Sequence, residues 1–350
     1  MRRVSISALV VTALTVGALH AQAPTVSSVV RLDPAMDAVV SPNAKVELLK
    51  GEFFAFVEGP VWVREGRSGH LLFSDIPANC IYKWQDGKLS VFLEKSGFSG
   101  TDTSNVGVEV NNGRFQVIVI GSNGLTLDPQ GRLVAAAMGD RQLVRLEKDG
   151  KRTVLADRYD GKRFNGVNDV VVKSNGSVYF TDPSSGLRGG DKNPLRELPF
   201  NGVYLVKAGK VTLLDKEPIG GSPNGIAFSP NERILYVTAG RRLAAYDVQP
   251  DDTLTNRRVF FDYDKVIPPV PPRGGFDGIK VDTQGNVWGE GPGGIWIVSP
   301  AGKALGSILI PEPPANLAFG EADGKTLFMT ARRGLYRVRI NVAGILPGPK

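Results

Sequence analysis

Short runs of β-branched and aromatic residues recur along the chain, bounded by Gly, Pro, Asn or Asp; LLFS, VYFT, ILYVT and TLFMT are examples. No long stretch places apolar residues at helical spacing. The pattern reads as all-β. Its order carries further information, because a strand led by a polar residue is repeatedly followed by a turn and a second strand. EGPVWV at 58–63 precedes HLLFSD at 70–75, and SNGLTLDPQGRLVAAA spans 122–137. VNDVVVKSNGSVYFTD spans 167–182, and PNGIAFSPNERILYVT spans 223–238. FDGIKVDTQGNVWGEG spans 276–291, and ANLAFGEADGKTLFMT spans 315–330. Most of these six hairpins are followed by another strand pair, such as GVYLVKAGKVTLL at 202–214. Each unit is thus about four strands, the size of a propeller blade. Six such units closed in a ring predict a six-bladed β-propeller with four-stranded blades. A pair of β-sandwich domains gives no reason to repeat one hairpin six times. The propeller is expected over residues 51–340, with 24–50 leading in and 341–350 as a tail.

The first residues read differently. Met1-Arg2-Arg3 is a basic start, Val4 to Leu19 is mostly apolar, and Ala21-Gln22-Ala23 is a small-x-small cleavage site. This is the pattern of a secretory signal peptide over 1–23, and it places the mature protein in the periplasm or outside the cell. An uncleaved membrane anchor is the alternative, but the apolar stretch is shorter than the ~20 residues of a spanning helix. Nothing later in the chain has the length and polarity of a membrane span. The formal charge of +7 falls to +5 when Arg2 and Arg3 leave. The remaining basic residues are scattered, so no nucleic-acid surface is expected. The sequence sets no oligomeric state.

Composition removes several chemistries. The single cysteine, Cys80, cannot form an internal disulfide. Of the two histidines, His20 lies in the leader and His70 opens a strand, where a turn position is expected. A Ser-His-Asp or Cys-His site and a multi-histidine zinc site are thereby disfavoured.

The residues that open the first strand of each hairpin are Glu58, Asn123, Asn168, Asn224, Asp277 and Asn316. In a propeller the first strand lines the central channel, so these six would meet near the axis. All offer oxygen, which suits a hard cation such as Ca²⁺. Asn and Asp also favour turns before strands without binding anything. Glu58 does not fit that explanation, because Glu is not a favoured turn former.

In order and spacing, EGPVWV, SNGLTLDPQGRL, VNDVVVKSNGSVYFTDP, SPNGIAFSP and FDGIKVDTQGNVW resemble the blade motifs of the gluconolactonase, senescence marker protein-30 and luciferin-regenerating-enzyme-like family. The resemblance extends from residue 58 to residue 331. It implies a six-bladed propeller with one divalent cation in the axial channel, Ca²⁺ first and Zn²⁺ as the alternative. It implies Glu58, Asn224 and Asp277 as metal ligands. Asn168 would lie beside metal and substrate, although Val167 replaces the usual Pro. The implied activity is hydrolysis of sugar lactones. One departure is Ala137-Met138-Gly139, where bacterial relatives commonly carry Glu-His-Gly. An apparent insertion at 96–116 would either shape the mouth of the channel or form a rim loop.

The expected mechanism needs no histidine. The cation would polarise the lactone carbonyl; water would be activated by Asp277 as general base, favoured with Ca²⁺, or by the metal as a bound hydroxide with Zn²⁺, while Asn123 and Asn168 bind substrate. Two alternatives remain at this level. One is a non-catalytic exported propeller with a structural metal that binds a sugar or a protein; the other is phosphotriester hydrolysis. Asp75 and Asp182 are expected to close turns. Arg163 and Arg273 are expected at the surface, and Trp62, Trp84, Trp288 and Trp296 in packing. The run IPPVPPRGG at 267–275 reads as a stiff connector.

Overall fold

A computed structural model describes residues 29–266 and 274–349. The predicted signal peptide, Arg273 and most of the proline-rich connector lie outside the described residues. Six antiparallel sheets follow one another along the chain, each built on one predicted hairpin. Blade one comprises Val57–Glu65, Ser68–Asp75, Cys80–Gln85 and Lys88–Glu94. The inner strands of the next five blades are Ser122–Leu127, Val170–Val172, Pro223–Phe228, Ile279–Val281 and Asn316–Gly320. Each inner strand packs against the next, and the sixth packs against the first, so the ring is closed. The chain is a six-bladed β-propeller.

Side chains alternate between the two faces of each strand, and each face is packed against a neighbouring blade. Val61 and Leu72 of blade one meet Leu125 and Leu133 of blade two, whereas Trp62, Leu71 and Phe73 turn the other way to Ala318 and Phe328 of blade six. The same alternation sends Val134 and Leu143 of blade two to Phe164, Val170 and Phe180 of blade three. Further clusters join blades three and four, four and five, and five and six. The apolar core is thus divided into six wedges between blades.

Closure involves a segment that the sequence pattern assigns only as a lead-in. Val46–Lys50 pairs with Gly334–Arg339 and becomes the outer strand of blade six. Val29–Arg31 adds a fifth strand to blade five by pairing with Ala304–Ile308. Between them, the single helical turn Met36–Val39 buries Met36 and Val39 against Trp288, Ile295 and Leu317. These strands are short and lack the repeated hairpin pattern, so their role appears only in three dimensions. They also cover the sheet edges that blades five and six would otherwise expose.

His70 departs from its expected turn position. It pairs with Val63 inside a strand, is buried, and lies 3.1 Å from Glu65. Cys80 is buried where the third strand of blade one begins. Trp288 and Trp296 are core residues, as expected. Among the described residues, no helix is long and apolar enough to cross a membrane.

Because Met36 is fully buried in the wedge between blades five and six, Met36→Ala is predicted to lower unfolding free energy by about 2–5 kcal/mol. Urea denaturation measures this. A dispensable lead-in would give a change near zero.

Candidate active site

The six polar residues open the inner strands on one end of the ring. Asn123, Asn168, Asn316 and Glu58 are buried there, while Asn224 and Asp277 keep part of their surface open. Their main chains are linked from blade to blade. Ser74 Oγ donates to the carbonyl of Asn123 (2.9 Å), Thr181 Oγ1 to that of Asn224 (2.6 Å), and Thr238 Oγ1 to that of Asp277 (2.9 Å). Gly124 N–H donates to the carbonyl of Asn168 at 2.8 Å. A hydroxyl on one blade's second strand thus holds the polar residue of the next blade.

The glycine that follows the polar residue has a separate cause. A Cβ on Gly59 would lie 2.0 Å from the Asn123 carbonyl oxygen, and one on Gly225 would lie 2.3 Å from that of Asp277. Gly59 also has φ +52°, a left-handed conformation that favours glycine. The sequence pair of polar residue and glycine therefore records the close approach of adjacent blades at the axis.

Two repeat positions are filled differently, and both bring acid into the site. Asp169 stands where four other blades carry Gly after the polar residue and blade six carries Leu317; it is buried and accepts from Val170 N–H at 2.9 Å. Glu290 occupies the second-strand position held by Ser74, Thr181 and Thr238. Its N–H donates to the Gly278 carbonyl (2.9 Å), and its carbonyl accepts from Asp277 N–H (3.1 Å). Both were readable in principle from VND against SNG and from VWGEG against VYFTD, had the repeats been aligned position by position. Lys280 is the third unforeseen residue. Its ammonium donates to Ile279 O (3.0 Å) and Asn316 Oδ1 (3.3 Å).

Electrostatics ties the group together. Burial pushes the Glu58 carboxyl up to about 7, with Asp169 adding to the rise while Gly59 N–H, the Asn316 side chain and Lys280 oppose it. Burial raises Asp277 well above the usual range, and the Glu58 and Asp169 charges add to this, while the Asn224 carboxamide opposes it. Glu290 is likewise raised, first by burial and then by Asp277 and Glu58. Burial also raises Asp169, opposed chiefly by Lys280. Four carboxyl groups thus share an enclosed space with one lysine, and ionising them all there needs further positive charge.

The donor set accommodates a hard divalent cation. Among the described residues, no group of three or more His, Cys, Asp and Glu side chains is arranged to hold a metal alone. A cation here would therefore draw on the carboxamides of Asn168 and Asn224 as well as on Glu58 and Asp277. All-oxygen sets of this kind suit Ca²⁺. Asn123 and Asn316 complete the ring. Of the two, only Asn316 reaches a carboxyl of the cluster, donating to Glu58.

The surroundings of the mouth are apolar where the family resemblance leads one to expect polarity. Met138 is buried with Ile76 and Val119, and Val108 and Val110 pack on the same cluster. The insertion therefore forms a hairpin, Val108–Asn111 with Gln116–Val119, seated on Met138. Arg332 ties it to blade six by donating to Asn111 O. Phe56, Val110, Asn111 and Arg332 line one depression, so the hairpin borders the face from which Val57 leads to Glu58.

Asp75 and Asp182 close turns as expected. Asp75 accepts from Ala55 and Phe56 N–H (3.0 and 3.1 Å), and Asp182 from Asn165 and Gly166 N–H (2.9 and 2.7 Å). Each thereby fixes the loop that leads to a ring residue, Glu58 or Asn168. Arg163 donates to Asp140 O at 2.8 Å.

The family model described as SMP-30/Gluconolactonase/LRE-like region matches residues 56–333. A gluconolactonase of Zymomonas mobilis is 34% identical over 355 residues, covering 97% of this chain and 95% of that protein. A solved gluconolactonase structure from Xanthomonas campestris superposes with a TM-score of 0.71 at 28% identity, covering 89% of this chain and 95% of that one. A lactonohydrolase of Aspergillus oryzae, OryL, is 26% identical over 223 residues, which is 56% of this chain and 49% of that protein.

Asp182 gives a pH test. Burial raises its carboxyl from 3.8 to about 7 in the folded chain. The folded state therefore binds the proton more tightly, so this contribution to stability is full below 3.8 and is lost as pH rises through about 7. Stability against pH should fall less steeply over that window in Asp182→Asn than in wild type, as read by urea midpoints at several pH values. Equal slopes would contradict the assignment.

Proposed function

The chain belongs to the SMP-30/gluconolactonase/LRE-like family, and we propose that it is a lactone-hydrolysing enzyme, a carboxylic ester hydrolase acting on sugar lactones at the axial site. The observation that carries this reading is the buried carboxyl cluster at the propeller axis, held open to the channel at Asp277 and Asn224. Its setting in a chain 34% identical to a gluconolactonase along nearly the whole length supports it.

Glu58, Asn168, Asn224 and Asp277 would hold one divalent cation, with Ca²⁺ matching the all-oxygen donors best and Zn²⁺ as the second candidate. When bound, the cation supplies Lewis acidity toward the lactone carbonyl oxygen. Asp277 is the general base: its carboxylate takes a proton from the water that attacks the ring carbonyl carbon. The ester C–O bond then breaks, the ring oxygen takes up a proton, and the product is the open hydroxy acid. Burial, with the Glu58 and Asp169 charges adding to it, raises the Asp277 carboxyl well above the usual carboxylate range, which makes its carboxylate a stronger proton acceptor. Glu290, whose main chain pairs with that of Asp277, provides a second carboxyl beside the base. Asn123, and Asn168 at its free positions, bind substrate hydroxyls. Met138 leaves no imidazole at the mouth, and His70 lies along the second strand of blade one in contact with Glu65. A carboxylate base is consistent with both facts.

Sugar-lactone hydrolysis should disappear on chelation and return when a single divalent metal is added back. Asp277→Ala should lower kcat by about 10²–10⁴-fold, and Asn123→Ala should act mainly on KM. Initial rates on a panel of lactones, with metal content determined, check this. A metal-loaded wild type that opens no lactone would replace the enzyme with a sugar-binding propeller.

A further inference from the structure

The inserted segment crosses the mouth of the channel at the ring end. It is fastened first to blade three, where Gly107 N–H donates to Gly186 O at 3.0 Å and Val106 bridges to Leu187. The strand Val108–Asn111 then ends at blade six, where Asn111 O accepts from Arg332. In a ring of six, blades three and six stand opposite each other. Residues 106–111 supply about 17 Å of extended chain between them. The segment is therefore a chord over the mouth and not a loop on its rim.

Between its two ends the hairpin rests on one side of the ring. Val108, Val110 and Val119 pack with Ile76 after the second strand of blade one and Met138 after that of blade two. At the tip, Asn112 is 1% exposed, and its Nδ2 donates to Ala55 O at 2.9 Å. Its Oδ1 accepts from Arg114 and Phe115 N–H (3.0 and 3.1 Å), so one carboxamide both shapes the tip and ties it to the lead into blade one. Among the described residues, no hydrogen bond of the insertion reaches blade four or five.

The exposure of the ring residues follows the same division. Glu58, Asn123, Asn168 and Asn316 belong to blades one, two, three and six, and all four are buried. Asn224 and Asp277 belong to blades four and five, and both keep open surface. The covered residues are thus those of the blades on which the hairpin lies or to which it is fastened.

We propose that the inserted hairpin is a roof that determines specificity. It closes the side of the mouth formed by blades six, one, two and three, and substrate enters over blades four and five. A lactone with its carbonyl at Asp277 extends beneath the hairpin toward Asn123 and Asn168. The hydroxyls bound there have no room for a glycosyl substituent, so the site takes single-ring lactones and rejects glycosylated ones. The selection of substrate rests on the lactonase reading; the covering of Glu58 does not.

Two readouts test this. The first compares kcat/KM for glucono-δ-lactone and its 4-O-glucosylated counterpart, cellobiono-δ-lactone. The wild type should prefer the single ring by about 10²-fold. Replacing Glu109–Ile118 by Asn-Gly joins Val108 to Val119, which are already paired, and should reduce that preference to under about tenfold. Asn112→Ala keeps the hairpin but frees its tip, and should shift the ratio in the same direction; it decides the matter if the shortened chain does not fold, as thermal midpoints will show. The second readout labels Glu58→Cys and Asn224→Cys with a bulky maleimide, against the buried Cys80 of the unsubstituted chain as baseline. Asn224→Cys should react at least about tenfold faster than Glu58→Cys, and shortening or freeing the hairpin should accelerate Glu58→Cys alone. Equal use of the two lactones by an active wild type, a ratio unchanged in both hairpin variants, or equal labelling of the two cysteines would overturn the proposal. A wild type that opens neither lactone would instead remove the lactonase reading, and the labelling would still decide on the roof.

Discussion

Four of the six polar residues at the axis are held through their peptide carbonyls by a neighbouring blade. Ser74 grips Asn123, Thr181 grips Asn224, and Thr238 grips Asp277. These bonds fix side chains from distant parts of the sequence on one small circle, because rotation of one blade would break its bond to the next. The glycines enforce the same spacing from the opposite direction, since a side chain at Gly59 or Gly225 would collide with the adjacent blade's carbonyl. The wedges of apolar residues between blades supply the packing that keeps the circle closed, and the N-terminal strands complete its last two blades.

That circle creates an electrostatic problem that also defines its chemistry. Glu58, Asp169, Asp277 and Glu290 gather where water is largely excluded, and Lys280 offers one compensating charge. Burying like charges without compensation is unfavourable. In the proposed reading a divalent cation would offset most of that imbalance, and a carboxylate rather than a histidine would activate water. On the other side of Lys280 the walls are apolar, with Leu125, Val170 and Ile226 among them.

Much of this was legible in the sequence. The six hairpins gave the blade count, and the six strand-opening polar residues marked the axial ring, including the out-of-place Glu58. What remained hidden has physical reasons. The strands Val29–Arg31 and Val46–Lys50 are too short to show a pattern of their own, and their partners lie at the far end of the chain. Asp169 and Glu290 look like ordinary residues in their segments. They become conspicuous only against what most of the other blades place there, a glycine and a hydroxyl. Met138 was legible as a departure, but its use as a seat for the inserted hairpin required the packing.

Calorimetric titration of the chelated protein with Ca²⁺, in wild type and in Asn224→Leu, tests the proposal that Glu58, Asn168, Asn224 and Asp277 hold one divalent cation in the axial ring. The wild type is expected to bind one equivalent, and Asn224→Leu to lose binding or retain it only weakly while keeping its fold. Absence of binding in the wild type to Ca²⁺ or Zn²⁺, or unchanged binding in Asn224→Leu, would contradict it.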